Sequence, residues 1–137
     1  MKRVDTKEEV ECFLAKAFDI LKDKDFNINK NFCFIKKRSC YEVNNQYTNE
    51  STMIELDYQT KDVVNELLTL RVENYMETVI DNKPERVIPF YCFIKKINEK
   101  QVYIKFKISE VKEKQVLCVS FHFVEYFVSD CKLPYLV

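Results

Sequence analysis

Glycine is absent from all 137 residues. Backbone that must turn through positive φ therefore falls to Asn or Asp, in which the chain is rich. Phosphate sites cradled by glycine loops, of the P-loop or dinucleotide type, are excluded, and with them most nucleotide-dependent enzymes. Tryptophan is also missing, and there is one histidine, His122. No C-x-x-C pair occurs among the six cysteines. A lone imidazole and scattered thiols do not make a zinc site, so no metal and no cofactor is expected. Cys12, Cys33, Cys92 and Cys118 lie inside apolar runs such as NFCFI and FYCFI. There a thiol acts as a small buried hydrophobe, as expected of a reducing cytoplasm. No apolar run approaches the ~20 residues that span a bilayer, so no membrane is expected as a partner. The opening MKRVDTKEEVE turns acidic where a secretory signal would turn apolar.

Net charge is zero, yet it is unevenly placed. Residues 41–82 hold nine acids against Lys61 and Arg71, whereas 83–107 hold seven bases against Glu85 and Glu99. Residues 22–38 add six bases against Asp23 and Asp25. Such a distribution holds an anionic partner that the zero sum does not suggest. Lysines that merely solvate the outer faces of strands produce the same pattern.

Length and a 47% hydrophobic, 32% charged balance fit one globular domain spanning 1–137. Thr6 and Glu9 form a capping box, and Val10, Phe13, Leu14, Ala17 and Leu21 recur at helical spacing, which predicts a helix over 6–23. Phe32–Ile35 is strand-like, and the polar stretch 38–52 reads as one long loop. Val63, Val64, Leu67 and Leu68 give the inner face of a helix near 60–69, capped by Asp57 or Thr60. A short third helix over Val72–Val79 extends the helical segment to 60–79. After Pro84 the period changes to two, with strands at Phe90–Ile97, Val102–Ile108 and Val116–Val124. The fold class is α+β: N-terminal amphipathic helices packed on an antiparallel meander at 90–124. FCFIKK (32–37) and YCFIKK (91–96) nearly repeat, as two strands with the same solution to burial.

Alternation turns Val102, Ile104, Phe106 and Ile108 inward with Leu117, Val119, Phe121 and Phe123. Tyr103, Lys105 and Lys107 then face outward with Cys118, Ser120 and His122. A two-residue turn at Glu99–Lys100 sets Lys96 across from Tyr103. One register of the second hairpin sets Tyr103 across from His122 and Lys105 across from Ser120, and a one-residue slip disperses the set. Lys96, Tyr103, Lys105 and His122 would form a cationic, aromatic patch suited to metal-free RNA cleavage. A base takes the 2′-hydroxyl proton, cations steady the pentavalent phosphate and an acid protonates the departing 5′-oxygen. Histidine suits the acid, lysines the phosphate, and tyrosine stacks on a base or holds the nucleophile. The bland alternative is a hydrogen-bonded histidine among solvated lysines.

The stretch Leu56–Tyr126 resembles the MqsR-family toxins of bacterial toxin–antitoxin pairs. The likeness is strongest in DVVNELLTLRVENY (62–75), QVYIKFKI (101–108) and VLCVSFHFVEY (116–126). Members carry a leucine-rich helix, a turn bearing Tyr, an aromatic strand, a V-Y-I/L-K strand and a strand ending S-F-H or S-F-K. The resemblance implies a RelE-like fold, ribosome-independent mRNA cleavage and an antitoxin partner. It implies catalytic roles for Tyr103, Lys105 and His122; Lys96 and Lys107, lysines of the same strands, are expected to contact RNA. Met76-Glu77 stands where some members place a functional lysine, and Glu99 replaces a common hairpin glycine. The competing expectation is a non-enzymatic phage or mobile-element protein, whose acidic segment 41–82 inhibits a host nuclease complex by protein–protein binding. A third is a structural subunit that associates through exposed Tyr126, Phe127 and Tyr135.

Overall fold

The computed structural model describes residues 1–35, 46–80, 88–110 and 113–136. Strand β1 (Lys2–Arg3) leads into helix α1 (Lys7–Leu21), β2 (Phe32–Phe34), α2 (Asn49–Leu56) and α3 (Thr60–Leu68). A 3-10 turn at Val72–Asn74 then enters β3 (Tyr75–Val79), β4 (Phe90–Ile97), β5 (Lys100–Ser109) and β6 (Gln115–Phe123), and a second 3-10 turn spans Asp130–Lys132. The protein is α+β, with three helices and a six-stranded, mostly antiparallel sheet among the described residues, in the order β1-β3-β4-β5-β6-β2. Among the described residues no helix is long and apolar enough to cross a membrane.

Helix α1 forms as its sequence dictates. Thr6 Oγ1 accepts from the Glu9 amide while Glu9 reaches back to the Thr6 amide, and the whole stripe from Val10 to Leu21 is buried. Phe13 stacks on Tyr91 with ring centroids 3.8 Å apart and meets Phe106 at 5.1 Å. Val63, Val64 and Leu67 of α3 complete the helical side of the core, against Phe93, Val102, Ile104, Phe106 and Phe121 of the sheet.

Several expectations are corrected. The segment 38–52 is not all loop. Its first part lies outside the described residues, but Asn49 opens α2 behind a Thr48 cap. That helix is weakly amphipathic because it docks through polar side chains. Asn49 Oδ1 accepts from the Phe121 amide, its Nδ2 donates to the carbonyls of Ile35 and Val119, and Thr52 Oγ1 accepts from the Phe123 amide. Side chains thus complete the outer ladder of β6 where β2 has ended. Asn49→Ala would leave an amide and two carbonyls unpaired, which costs about 2–3 kcal/mol. Urea denaturation measures it; a value within the scatter of wild type would mean that the latch carries no stability.

The second correction is at 72–79, where the expected helix is a 3-10 turn followed by β3. A register irregularity between Tyr75 and Glu77 leaves the two fully buried residues, Tyr75 and Thr78, three positions apart, which mimics helical spacing. The third concerns β6. A bulge between its pairings to Lys105 and Phe106 makes Val119 the extra residue and reverses the alternation beyond it. Val116 and Cys118 therefore join the core, while Leu117 pairs with the outward-facing Lys107.

Positive φ falls, among the described residues, at Asp57 (56°), Asn98 (52°) and Glu99 (66°). Asp and Asn carry it as the lack of glycine requires; glutamate does so at a steric cost. Asn98 and Glu99 form the two-residue β4–β5 turn, one position earlier than expected, so Lys96 pairs with Gln101 and Ile94 with Tyr103. Because that changes the pairing by two residues, Lys96 keeps its face and moves one pleat toward the hairpin tip.

Two charged side chains on the core side are structural. Lys95 Nζ reaches Glu66 Oε1 at 2.6 Å and the Glu66 carbonyl at 3.0 Å, closing the C-terminus of α3 with a cation. Glu66 also takes the Tyr58 hydroxyl; burial, then this carboxylate, pushes that phenol up to about 12. Asp5 is buried where β1 ends. Its carboxylate accepts from Arg3 Nε at 2.6 Å and Tyr91 Oη at 2.7 Å, and its amide donates to Tyr75 Oη at 2.9 Å. The hydroxyl of Tyr135 donates to its carbonyl, which fastens the C-terminal segment to the N-terminal one.

Candidate nucleic-acid face

The helices cover one face of the sheet, and the candidate residues lie on the other. Tyr103 and His122 are direct cross-strand partners, and Lys105 faces Ser120, the register that unites them. Their rings stand 5.5 Å apart at 44°. His122 Nδ1 lies 3.0 Å from the carbonyl of Phe123. A carbonyl only accepts, so Nδ1 carries the hydrogen and Nε2 is the other ring nitrogen. Tyr103 donates its hydroxyl hydrogen to Cys92 Sγ at 3.1 Å. Cys92 is fully buried, and burial pushes its thiol up to about 11 despite Tyr103 and Lys105. It supports the tyrosine and is no thiolate nucleophile.

Lys105 and Lys107 converge on one ring. Their ammonium nitrogens lie 5.1 and 4.7 Å from the centroid of Phe90. The ring quadrupole offsets part of their mutual repulsion, and an anion seated between them would relieve the rest. Lys96 is exposed one pleat beyond Tyr103, toward the hairpin tip. The structure thus brings Tyr103, His122 and Lys105 onto one patch, places Lys107 along the same strand, and sets Lys96 at its border. Lys36, Lys37, Arg38, Lys83 and Arg86 lie outside the described residues.

Sequence reasoning missed Cys92 and Phe90. Both sit in the β4 run FYCFI, whose alternation already turned them toward Lys105 and Lys107. Glu77 was noted only as a departure from a lysine; it flanks Cys92 on β3 and pairs with Lys2 at 3.4 Å. Three further acids of segment 41–82 are also in ion pairs, Glu55 with Lys100, Glu66 with Lys95 and Glu73 with Arg71. Among the described residues no group of three His, Cys, Asp or Glu side chains is placed to hold a metal ion.

No protein-family model matches the chain, and neither a curated protein nor a solved structure matches it.

Proposed function

We propose that this protein is a metal-free endoribonuclease that cleaves mRNA by attack of the 2′-hydroxyl, a RelE-like, MqsR-like toxin of the cytoplasm held in check by an antitoxin. The observation that carries the reading is the cross-strand pairing of Tyr103 with His122 beside the Lys105–Lys107 pair on Phe90. Those residues supply what the reaction asks for. The Tyr103 oxygen, its own hydrogen given to Cys92, accepts from the 2′-hydroxyl and orients it. As O2′ bonds to phosphorus its proton passes to water, and Lys105 and Lys107 balance the charge of the pentavalent phosphate. The P–O5′ bond breaks, and His122 Nε2 delivers a proton to the departing oxygen. A 2′,3′-cyclic phosphate and a 5′-hydroxyl result. Lys96 extends the cationic track along the RNA backbone.

The test is incubation of the purified protein with a defined RNA in EDTA, beside the same RNA carrying 2′-O-methyl groups throughout. Cleavage of the first alone, with cyclic phosphate ends, is expected. Intact RNA in both would sink the nuclease reading and turn attention to a protein that inhibits a host nuclease complex by binding it. The ion pairs of Glu55, Glu66, Glu73 and Glu77 neutralise part of the acidic surface on which that alternative depends.

A further inference from the structure

Beyond the reacting face, a cleft of about 430 Å³ opens at the tip of the β4–β5 hairpin, within the range of small-molecule sites. Its walls include Tyr47, Phe127, Lys96, Lys100 and Glu55. Lys96 belongs to both regions. It stands two residues along β4 from Ile94, the partner of Tyr103, so about 6–7 Å of strand separates the cleft border from the Tyr103–His122 row. A nucleotide adjoining the one held there reaches the cleft.

We infer that this cleft is a base-binding subsite for the RNA nucleotide next to the scissile phosphate, with Phe127 as its stacking wall. Phe127 is 77% exposed, an unfavourable place for an apolar ring unless something covers it. The backbone beside it is tethered. Gln101 spends both ends of its side-chain amide on the neighbouring Val128, donating to its carbonyl and accepting from its amide, each at 2.8 Å. The segment is tied again at Tyr135. Backbone ordered before binding loses less entropy when a base stacks on the ring it carries. Across the cleft Lys100 Nζ and Glu55 Oε2 lie 2.7 Å apart, both well exposed. Such a pair is weakly held and sets a donor beside an acceptor, the alternation that Watson–Crick edges present. A neutral base suits this cleft, whose lysines are matched by Glu55 and Glu99, while the phosphates take the lysines of the sheet face.

The inference rests on RNA being the ligand but not on its being cleaved, and the experiment separates the two. A fluorescein-labelled 2′-O-methyl RNA oligonucleotide is titrated with wild type, Phe127→Ala and Phe127→Trp, and binding is read by anisotropy. Phe127→Ala is expected to weaken binding about tenfold, and Phe127→Trp to retain it. On an oligonucleotide of abasic sites the two affinities should coincide for wild type and Phe127→Ala. Equal binding of the three proteins to normal RNA overturns the subsite, as does an alanine loss that persists on abasic RNA. A wild type that binds no RNA removes both readings. Tight, Phe127-dependent binding without cleavage of unmodified RNA removes the nuclease reading and leaves the subsite standing.

Discussion

His122→Ala is expected to slow RNA cleavage about 10²- to 10⁴-fold, the usual contribution of a positioned general acid. The chemistry leaves little substitute. Tyr103 has committed its hydrogen to Cys92, and the lysine ammoniums are better suited to holding phosphate charge than to releasing protons near neutrality. Stability should hardly change, because the ring lies partly exposed on the sheet face and its backbone pairing to Tyr103 persists. Initial rates in EDTA give the first quantity and a thermal melt the second. His122→Asn sharpens the result. Its side-chain amide keeps a donor close to the position of Nδ1 but cannot deliver a proton, so it should be as slow as the alanine variant. Full activity in either would mean that another group protonates the leaving oxygen.

The second large effect is on stability. Asp5→Ala is expected to cost about 2–3 kcal/mol, since it strips a buried site of a carboxylate bonded to Arg3 and Tyr91. Four parts of the chain meet there: β1, β3 through Tyr75, β4 through Tyr91 and the C-terminal segment through Tyr135. Burial pushes the Asp5 carboxyl up, but the bonds from Arg3 and Tyr91 outweigh it and hold the group below its ordinary value. The same burial, with Asp5 alongside, raises the phenol of Tyr91. A depressed carboxyl stabilises the fold fully above the pKa of the unfolded chain, about 4. That contribution fades as pH falls through the lower, folded value. The stability gap between wild type and Asp5→Asn should therefore stay constant from neutrality to about pH 4 and narrow below it. Urea titrations at a series of pH values measure the gap, and a constant difference down to pH 2 would contradict the assignment.

How far the sequence disclosed all this depended on which forces set each element. Helix α1 was legible because a capping box and an apolar stripe agree. The β5–β6 register was legible as one of two choices, and with it the Tyr103–His122 pair. Helix α2 was hidden because its contacts run through Asn49 and Thr52, residues that read as loop until a strand's amides stand opposite them. Both bulges were hidden too, since an extra residue at Val119 or near Met76 changes parity without changing composition. The partners of the candidate residues, Cys92 and Phe90, were signalled only by the alternation of β4. They matter only because folding sets them beside Tyr103, Lys105 and Lys107.

The side-chain latch from α2 also limits how another protein can attach. A controlling partner that adds a strand to a sheet needs a row of backbone amides and carbonyls to pair with. Along the second half of β6 the amides of Phe121 and Phe123 and the carbonyl of Val119 are already engaged by Asn49 and Thr52. Strand addition at that border would first have to peel a helix away. A protein inhibitor thus gains more by covering the cationic face, where Phe90 and its two lysines meet the solvent, and in doing so it would compete with RNA for the same ground.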